Sequence, residues 1–337
     1  MEEKTVQAGA GISVARRTAV LVVFAVLVVV GAVASIGMGS VAVPVDEILD
    51  VLFSDGGAGT HQQIIMNIRL PRTVVAALVG LNLSLSGAVL QAVMKNPLAD
   101  PHIIGISSGA GLTGILVMLA FPGYEYLVTP AAFVGAMAAA VCIYILAWKN
   151  GIRPVRIILA GVAVSAFLGA GISALMILYS DKVHGALMWM AGGLAARSWP
   201  HVSIIWPYSL AGLIIVLLGA KHLNILQLGD ELAKGLGLNV ELTRIAMTAV
   251  AAMLAASAVS VAGLLGFVGL IVPHATRLIV GSDYRFLLPG AGLLGAAVVM
   301  FSDTFARTAF APSELPVGII MAALGAPFFL FLLRREL

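Results

Sequence analysis

The sequence predicts an all-α polytopic membrane protein with ten transmembrane helices. Of its 337 residues, 61% are hydrophobic and only 10% are charged, and the mean hydropathy is +1.07. A soluble domain has roughly 25% charged residues, so a soluble fold of this length could not cover its surface. The apolar residues form continuous runs, whereas a membrane β-barrel requires short alternating segments. The barrel is therefore rejected.

The net charge and the residue types present exclude several functions. The net charge is +3, but the basic residues stand between apolar runs, which is the arrangement that orients a membrane protein, so no nucleic-acid partner is predicted. Cys142 is the single cysteine, which excludes an intrachain disulfide. The chain has no GxxxxGK[ST] phosphate loop, and its six histidines show no metal-ligand spacing. We therefore predict no enzyme activity, metal or cofactor in this chain.

Ten apolar segments, each bounded by charged or turn-forming residues, are expected to span the membrane within a single transmembrane domain, 1–337. They are residues 18–38, 70–92, 102–121, 127–148, 155–179, 199–220, 240–262, 264–281, 286–309 and 315–333. The first follows Arg16 and Arg17 and could alternatively belong to a cleavable signal peptide, but its length favours a retained helix. The polar segment 39–68 is expected to be a loop. The connector 180–199 is expected to hold a short helix at the membrane interface, because Trp is favoured there.

The seventh and eighth spans come from one long apolar run. Residues 245–273 are too many for one helix and too few for two, at about 20 residues each. The run contains Gly263, Gly266 and Gly269, so we divide it there. The eighth span is accordingly expected to be short.

The distribution of Lys and Arg predicts the orientation. With ten spans and the N-terminus inside, 14 of the 19 basic residues fall on the cytoplasmic side and 5 on the outer side. Both termini are therefore expected in the cytoplasm. This orientation leaves Arg69, Arg72 and Arg307 as exceptional basic residues near the outer face.

These three arginines have alternative interpretations. Arg69 and Arg72 are three residues apart and share a helix face, where they could anchor lipid headgroups or receive carboxylates of an external partner. Asp303 and Arg307 are four apart, which favours a structural ion pair; alternatively, Arg307 adds to the same outer socket. The small residues of the spans favour close helix packing, but Asn82, Gln91 and Asn96 could line a polar path.

The segment 228–238, LGDELAKGLGL, predicts a short amphipathic helix. Asp230 and Glu231 would open the helix, and Gly235 or Gly237 would stop it. On the cytoplasmic side it is either a solvated loop or a helix that docks into a soluble subunit.

The chain closely resembles the FecCD-type permeases of ABC importers, which handle ferric siderophores, haem and vitamin B12. The resemblance rests on RLPR, SLSGAVLQAVMKNPLADP, GISSGAG, LGDELAKGLGL, GFVGLIVPHATRLIVGSDYRFLLPG and SDTFAR…ELPVGIIMAALGAPFFLFLLRR, and covers essentially the whole chain. It implies a homodimer in a bacterial or archaeal cytoplasmic membrane. It also implies two cytoplasmic ATPases that bind ATP and Mg, and an extracytoplasmic binding protein that delivers the substrate.

Similarity to the vitamin B12 permease implies roles for individual residues. Binding-protein docking falls on Arg69, Arg72 and Arg307, and a cytoplasmic gate falls on Asn96 and Leu98. ATPase coupling falls on Leu228, Gly229, Asp230, which replaces a glutamate, Ala233, Leu236 and Gly237.

One departure from the vitamin B12 permease bears on the substrate. Arg153-Pro154 stands where that permease has small hydroxyl gate residues, which weakens the cobalamin assignment. The family's usual cargo therefore favours a ferric siderophore, with haem or cobalamin as alternatives. An ion-coupled secondary transporter is the alternative from another class.

Overall fold

The computed structural model describes residues 13–39, 43–53, 60–149 and 154–336, and every regular element in these ranges is helical. The α-helices are α1 (Val14–Gly37), α2 (Val45–Phe53), α3 (Thr60–Gln63), α4 (Leu70–Met94), α5 (Ile106–Ala120), α6 (Val128–Ala147), α7 (Pro154–Leu178), α8 (Val183–Ala191), α9 (Trp199–Leu218), α10 (Ala220–Gln227), α11 (Asp230–Gly235), α12 (Val240–Ala262), α13 (Val268–Val280), α14 (Tyr284–Thr308) and α15 (Val317–Glu336). A π-helical segment, Ile64–Arg69, joins α3 to α4.

Seven of these helical stretches are long and apolar enough to cross a membrane. They are Val14–Gly37, Thr60–Met94, Glu125–Ala147, Val155–Leu178, Trp199–Leu218, Val240–Ala262 and Tyr284–Thr308. Three further apolar helices are shorter, namely Ile106–Ala120, Val268–Val280 and Val317–Phe331. The all-helical prediction is confirmed for the described ranges, with seven candidate spans by length and composition.

Helix α4 lies at the centre of the bundle. In the stretch from Thr60 to Met94, 78% of the apolar window is buried, compared with 17% for the stretch that forms α7. Helix α4 packs against α9, α12, α13 and α14. These neighbours surround α4 and exclude solvent and lipid from it. Because they come from distant parts of the chain, α4 connects those parts.

Glycines allow the neighbours of α4 to approach its backbone. A Cβ atom at Gly80 would lie 2.1 Å from the carbonyl oxygen of Gly295 in α14. One at Gly87 would lie 1.9 Å from the carbonyl oxygen of Gly269 in α13. Both distances are far below van der Waals contact, so these two positions require glycine. The prediction that small residues serve helix packing holds for these two contacts.

The segment 39–68, which was expected to be a loop, contains α2, α3 and the π-helical segment. Apolar residues of α2 recur at helical spacing. Among them Ile48 is only 2% exposed, whereas Val45 and Leu49 are 54% and 49% exposed. Ile48 packs with Ile36, Val43 and Ile65 in a small cluster beside α1. Asp46 and Asp50 of α2, two of the polar residues that made this segment look irregular, are exposed.

The long apolar run divides after Ala262, where α12 ends. Gly263 has a φ of +74°, a conformation that glycine adopts without steric cost, and its amide closes the last turn on Val259. Helix α13 then begins at Val268. The connector 180–199 holds the short helix α8.

Candidate functional site

The predicted site residues cluster at the two ends of α4. Arg69 and Arg72 lie at its N-terminal end, where residues of α1, α14 and the segment 309–316 meet them; we call this the arginine end. Asn96 and Leu98 follow its C-terminal end, where α10, α11 and α12 meet; we call this the turn end. The two ends differ in how their charges are neutralised.

At the arginine end, Arg72 binds two carboxylates. Its Nε and Nη2 donate to Oδ2 and Oδ1 of Asp303 at 2.8 and 2.9 Å, which is a bidentate pair. Its Nη1 donates to Oε2 of Glu314 at 2.8 Å. The Asp303 side chain is 1% exposed and that of Glu314 is 45% exposed. The guanidinium therefore joins α4 to α14 inside the bundle and to a loop carboxylate at its surface.

The predicted ion pair between Asp303 and Arg307 is wrong. Both carboxylate oxygens of Asp303 are engaged by Arg72, from a helix that is 231 residues away in sequence. Spacing of four residues within α14 allows a local pair, but the planar guanidinium of Arg72 meets both carboxylate oxygens at once. Arg307 is left to find other acceptors.

Arg307 and Arg69 both bind the C-terminal end of α1. Arg307 donates through Nη2 to the carbonyl oxygen of Ser35 and, at 3.1 Å, to its Oγ. Arg69 donates through Nη1 to the carbonyls of Ile36 and Gly37 at 2.7 and 3.0 Å. The last carbonyls of a helix lack partners within it and carry partial negative charge, so two guanidinium groups satisfy them and oppose the helix dipole.

The three arginines predicted to form a socket thus lie at one end of the bundle, but they are buried. Arg69, Arg72 and Arg307 are 4%, 7% and 6% exposed. Their guanidinium groups hold α1, α4 and α14 together. Docking of an external partner on them stays a prediction, and the exposed Glu314 is the group on Arg72 that such a partner would meet first.

A cavity of about 470 Å³ opens beside Arg72 at the arginine end. Its lining includes Glu314, Glu125, Arg197 and His201. Sequence reasoning assigned no role to these four residues. The only local signal was the spacing of Ser198 and His201, in which a side-chain acceptor three residues after a helix-capping serine resembles a capping box.

At the turn end, Asn96 shapes the turn that follows α4. Its Oδ1 accepts from the amide of Leu98 at 2.9 Å, which is the hydrogen bond of an Asx turn. Asn96 also lines a polar cavity of about 340 Å³ with Gln91, Lys95 and Arg277. Leu98 is half-buried. Both predicted gate residues therefore lie in the turn, and Asn96 borders the polar cavity.

Of the other polar groups considered for a path, Gln91 lines this cavity and Asn82 does not. Asn82 is completely buried, and its Nδ2 donates to Oγ of Ser257 at 3.0 Å, which joins α4 to α12.

The segment 228–238 contains the predicted short helix, α11. It begins after Gly229, whose φ is +107°, and ends near Gly237, whose φ is +82°. Ala233 is completely buried against the bundle. Three leucines of the segment are exposed on the opposite side: Leu228, Leu232 and Leu236, at 54%, 64% and 63%. An exposed row of large apolar side chains is typical of a protein-interaction surface.

Asp230 joins α11 to the turn end of α4. Its Oδ1 accepts from Nζ of Lys95 at 2.7 Å and from Nη2 of Arg244 at 2.8 Å. Burial alone would raise the pKa of Asp230, but the hydrogen bonds from these two cations bring the pKa below its usual value. Lys95 directly precedes Asn96, so a charged contact connects the exposed leucines with the turn.

The position Arg153-Pro154 and the question of a metal site remain from the sequence analysis. Arg153 lies outside the described residues, so the gate position at Arg153-Pro154 cannot be compared with the structure. The described ranges contain no group of three or more His, Cys, Asp or Glu side chains that could hold a metal ion.

The chain matches one protein family along most of its length. The FecCD transport family model covers residues 26–335. A similar solved structure, an inward-facing conformation of a metal-chelate type ABC transporter, superimposes with a TM-score of 0.84. It is 30% identical and covers 94% of this chain and 99% of its own.

Three curated relatives are similar at comparable levels. The Fe(3+)-citrate import system permease protein YfmE of Bacillus subtilis is 39% identical, over 94% of this chain and 95% of its own length. The cobalamin import system permease protein BtuC of Halobacterium salinarum is 46% identical, over 82% and 74%. The hemin transport system permease protein HmuU of Yersinia pestis is 38% identical, over 92% and 94%.

Proposed function

The chain belongs to the FecCD transport family, and we propose that it is the transmembrane permease subunit of an ATP-binding-cassette importer for an iron chelate, with a ferric siderophore as the favoured cargo. The observation that carries this proposal is the family match along nearly the whole chain. Haem and cobalamin are the second candidates, because relatives with those names are about as similar as the ferric-citrate relative.

The proposed subunit crosses the bacterial or archaeal cytoplasmic membrane ten times. The seven long apolar stretches and the three shorter apolar helices together make ten. Both termini and the turn end face the cytoplasm, and the arginine end faces outward. The excess of Lys and Arg in the segments on the turn-end side supports this orientation. Two such subunits form a homodimer with the path at its axis.

Each end of α4 then has a partner. At the arginine end, an extracytoplasmic binding protein docks acidic side chains near Arg69, Arg72 and Arg307. At the turn end, the exposed leucines of segment 228–238 dock on a cytoplasmic ATPase, which binds ATP and Mg and hydrolyses the ATP. Asp230 and Lys95 connect that docking surface with Asn96 and Leu98, the proposed inner gate. This chain itself is not an enzyme.

Reconstitution tests the proposal. The permease, its ATPase and its binding protein are placed in proteoliposomes, and uptake of a ferric siderophore is compared with uptake of ferric citrate, haem and cobalamin. We expect uptake to require ATP and all three proteins, with preference for the siderophore. A preference for haem or cobalamin would replace the siderophore as the proposed cargo, but the chain would still be the permease of an ATP-driven importer. Uptake by the permease alone, driven by an ion gradient, would establish the secondary transporter instead.

A further inference from the structure

Arg197 and His201 lie beside each other in the lining of the arginine-end cavity. His201 Nδ1 lies 3.2 Å from both the backbone nitrogen and Oγ of Ser198. The tautomer in which Nδ1 accepts from the Ser198 amide places the ring proton on Nε2. Arg197 Nη1 lies 3.4 Å from that Nε2 and is also only a donor. In this tautomer two N–H groups face each other without an acceptor between them.

Arg197 also lacks a counter-ion. Among the described residues, no carboxylate oxygen lies within 4.0 Å of its guanidinium, and its Nε is buried without a hydrogen-bond partner. Burial, followed by repulsion from Arg72, lowers the pKa of Arg197. A cation kept in this setting gains stability from any anion that reaches it.

The carboxylates that line the same cavity are occupied elsewhere. Glu314 binds Arg72, and Oε1 of Glu125 accepts from the amide of Gly123 at 3.0 Å. Neither carboxylate lies within 4.0 Å of Arg197, so an acceptor from outside the described residues can take this place. The cavity, at about 470 Å³, falls within the range of roughly 300–1,000 Å³ that is typical of small-ligand sites.

We infer that Arg197 and His201 form a subsite for one carboxylate group, which accepts from the guanidinium and from the imidazole Nε2–H. The carboxylate has two possible sources. One is an acidic side chain of the binding protein, and this source rests on the proposed function. The other is a small polycarboxylate such as citrate, free or as its ferric complex, and this source does not depend on an ATPase partner.

The test uses the full chain in lipid nanodiscs and two probes. Calorimetry measures binding of citrate and ferric citrate, and surface plasmon resonance measures binding of the cognate binding protein. For whichever probe the wild type binds, Arg197→Gln should weaken affinity about tenfold or more, as expected for loss of one charge-assisted hydrogen bond. Arg197→Lys, which keeps the charge but loses the planar fork, should retain part of the affinity.

A second variant separates occupancy of the subsite from misfolding. His201→Glu keeps an acceptor three residues after Ser198, as in the common Ser-x-x-Glu capping box, and places a carboxylate beside Arg197. The chain should remain folded while its own carboxylate fills the subsite, so probe binding should fall as far as in Arg197→Gln. The control is Lys182→Gln, an exposed cation in the same connector, which should bind like the wild type.

The two probes identify the source. Loss of binding-protein affinity alone assigns the subsite to that protein, and loss of citrate or ferric citrate binding alone assigns it to the small ligand. Wild-type affinities for both probes in Arg197→Gln and His201→Glu would overturn the subsite, as would a wild-type chain that binds neither probe. Failure of the proposed function is seen separately, as uptake that does not require the ATPase.

Discussion

The two ends of α4 neutralise their charges in opposite ways. At the arginine end, Arg72 and Asp303 form a bidentate pair with side chains only 8% and 1% exposed. At the turn end, Lys95 and Asp230 form a pair with side chains 32% and 38% exposed. The first pair lies between two long helices, whereas the second joins a turn to a six-residue helix.

This difference predicts different mechanical roles. A buried charge that loses its partner remains uncompensated, so the Arg72–Asp303 contact can hardly open without disrupting the fold. An exposed pair exchanges its partner for water at little cost. We infer that the arginine end is a fixed joint of the bundle and the turn end is an adjustable one. The predictions below test that distinction, from the largest expected effect to the smallest.

Removal of the buried cation should have the largest effect. Arg72→Met leaves the carboxylate of Asp303 buried without a partner, so the chain should lose about 3–5 kcal/mol of stability. Thermal unfolding in nanodiscs measures the loss. The double variant Arg72→Met with Asp303→Leu removes both charges and should recover much of it.

The matched control for Arg72→Met lies at the other end of the same helix. Lys95→Met removes the cation of the exposed pair and should cost less than about 1 kcal/mol. Equal losses of stability in Arg72→Met and Lys95→Met would contradict the conclusion that only the arginine end is a fixed joint.

The second prediction concerns the exposed leucines of α11 and its flank. Leu232→Ser with Leu236→Ser removes two apolar side chains from the proposed ATPase surface. A single interface hot spot contributes about 2 kcal/mol, which is about thirtyfold in affinity. Loss of the two leucines should therefore weaken association with the ATPase by that factor or more, while the permease stays folded. Binding in nanodiscs measures the affinity.

Leu187 provides the control for the ATPase surface. It is 50% exposed in α8, on the side of the arginine end, and Leu187→Ser should leave ATPase affinity unchanged. If Leu187→Ser weakened ATPase affinity as much as the double variant does, the loss would reflect a general folding defect. That result would contradict a specific docking surface on segment 228–238.

The sequence predicted the clustering at both ends better than the contacts within them. Arg69, Arg72 and Arg307 stood out as basic residues on the side where such residues are scarce, and they do lie together. The partner of Asp303 could not be predicted, because a spacing of four favoured Arg307, whereas folding brings Arg72 from 231 residues away. Local periodicity carries no information about such a contact.

The turn end shows the same division between local and long-range information. The start and end of α11 could be predicted, since acidic residues favour a helix N-terminus and glycine favours its end. The bond from Lys95 to Asp230 spans 135 residues, and no local pattern encodes it. At the arginine end, Glu314, Arg197 and His201 were missed for this reason, because they become a group only when the connectors fold over the cavity.

The third prediction concerns the exposed carboxylate at the arginine end. Glu314→Gln weakens the bond to Nη1 of Arg72 while Asp303 keeps the other two nitrogens, so the fold should persist. A docking acidic side chain then meets less competition, and affinity for the binding protein should rise by up to about fivefold, the value of an exposed ion pair. Surface plasmon resonance measures the change.

Glu125→Gln is the control for Glu314→Gln. Glu125 lines the same cavity but accepts from a backbone amide and does not contact Arg72, so its loss should leave the affinity unchanged. A lower affinity after Glu314→Gln would mean that Glu314 itself assists docking, and the proposed order of contacts at Arg72 would be wrong.

The smallest expected effect is the pH dependence of the adjustable joint. Because the pKa of Asp230 is lowered in the folded chain, its ion pairs contribute stability above the ordinary aspartate pKa of about 3.9, and this contribution is lost as the pH falls through the lower, folded value. Asp230→Asn should therefore speed hydrogen exchange of the amides in segment 228–238 at neutral pH, by an amount equivalent to less than about 1 kcal/mol. After correction for intrinsic rates, the difference between variant and wild type should stay constant from pH 7 to pH 5 and disappear only in stronger acid. A difference that disappears between pH 7 and pH 6 would mean that a group other than Asp230 holds α11 in place, and the proposed role of Asp230 would be wrong.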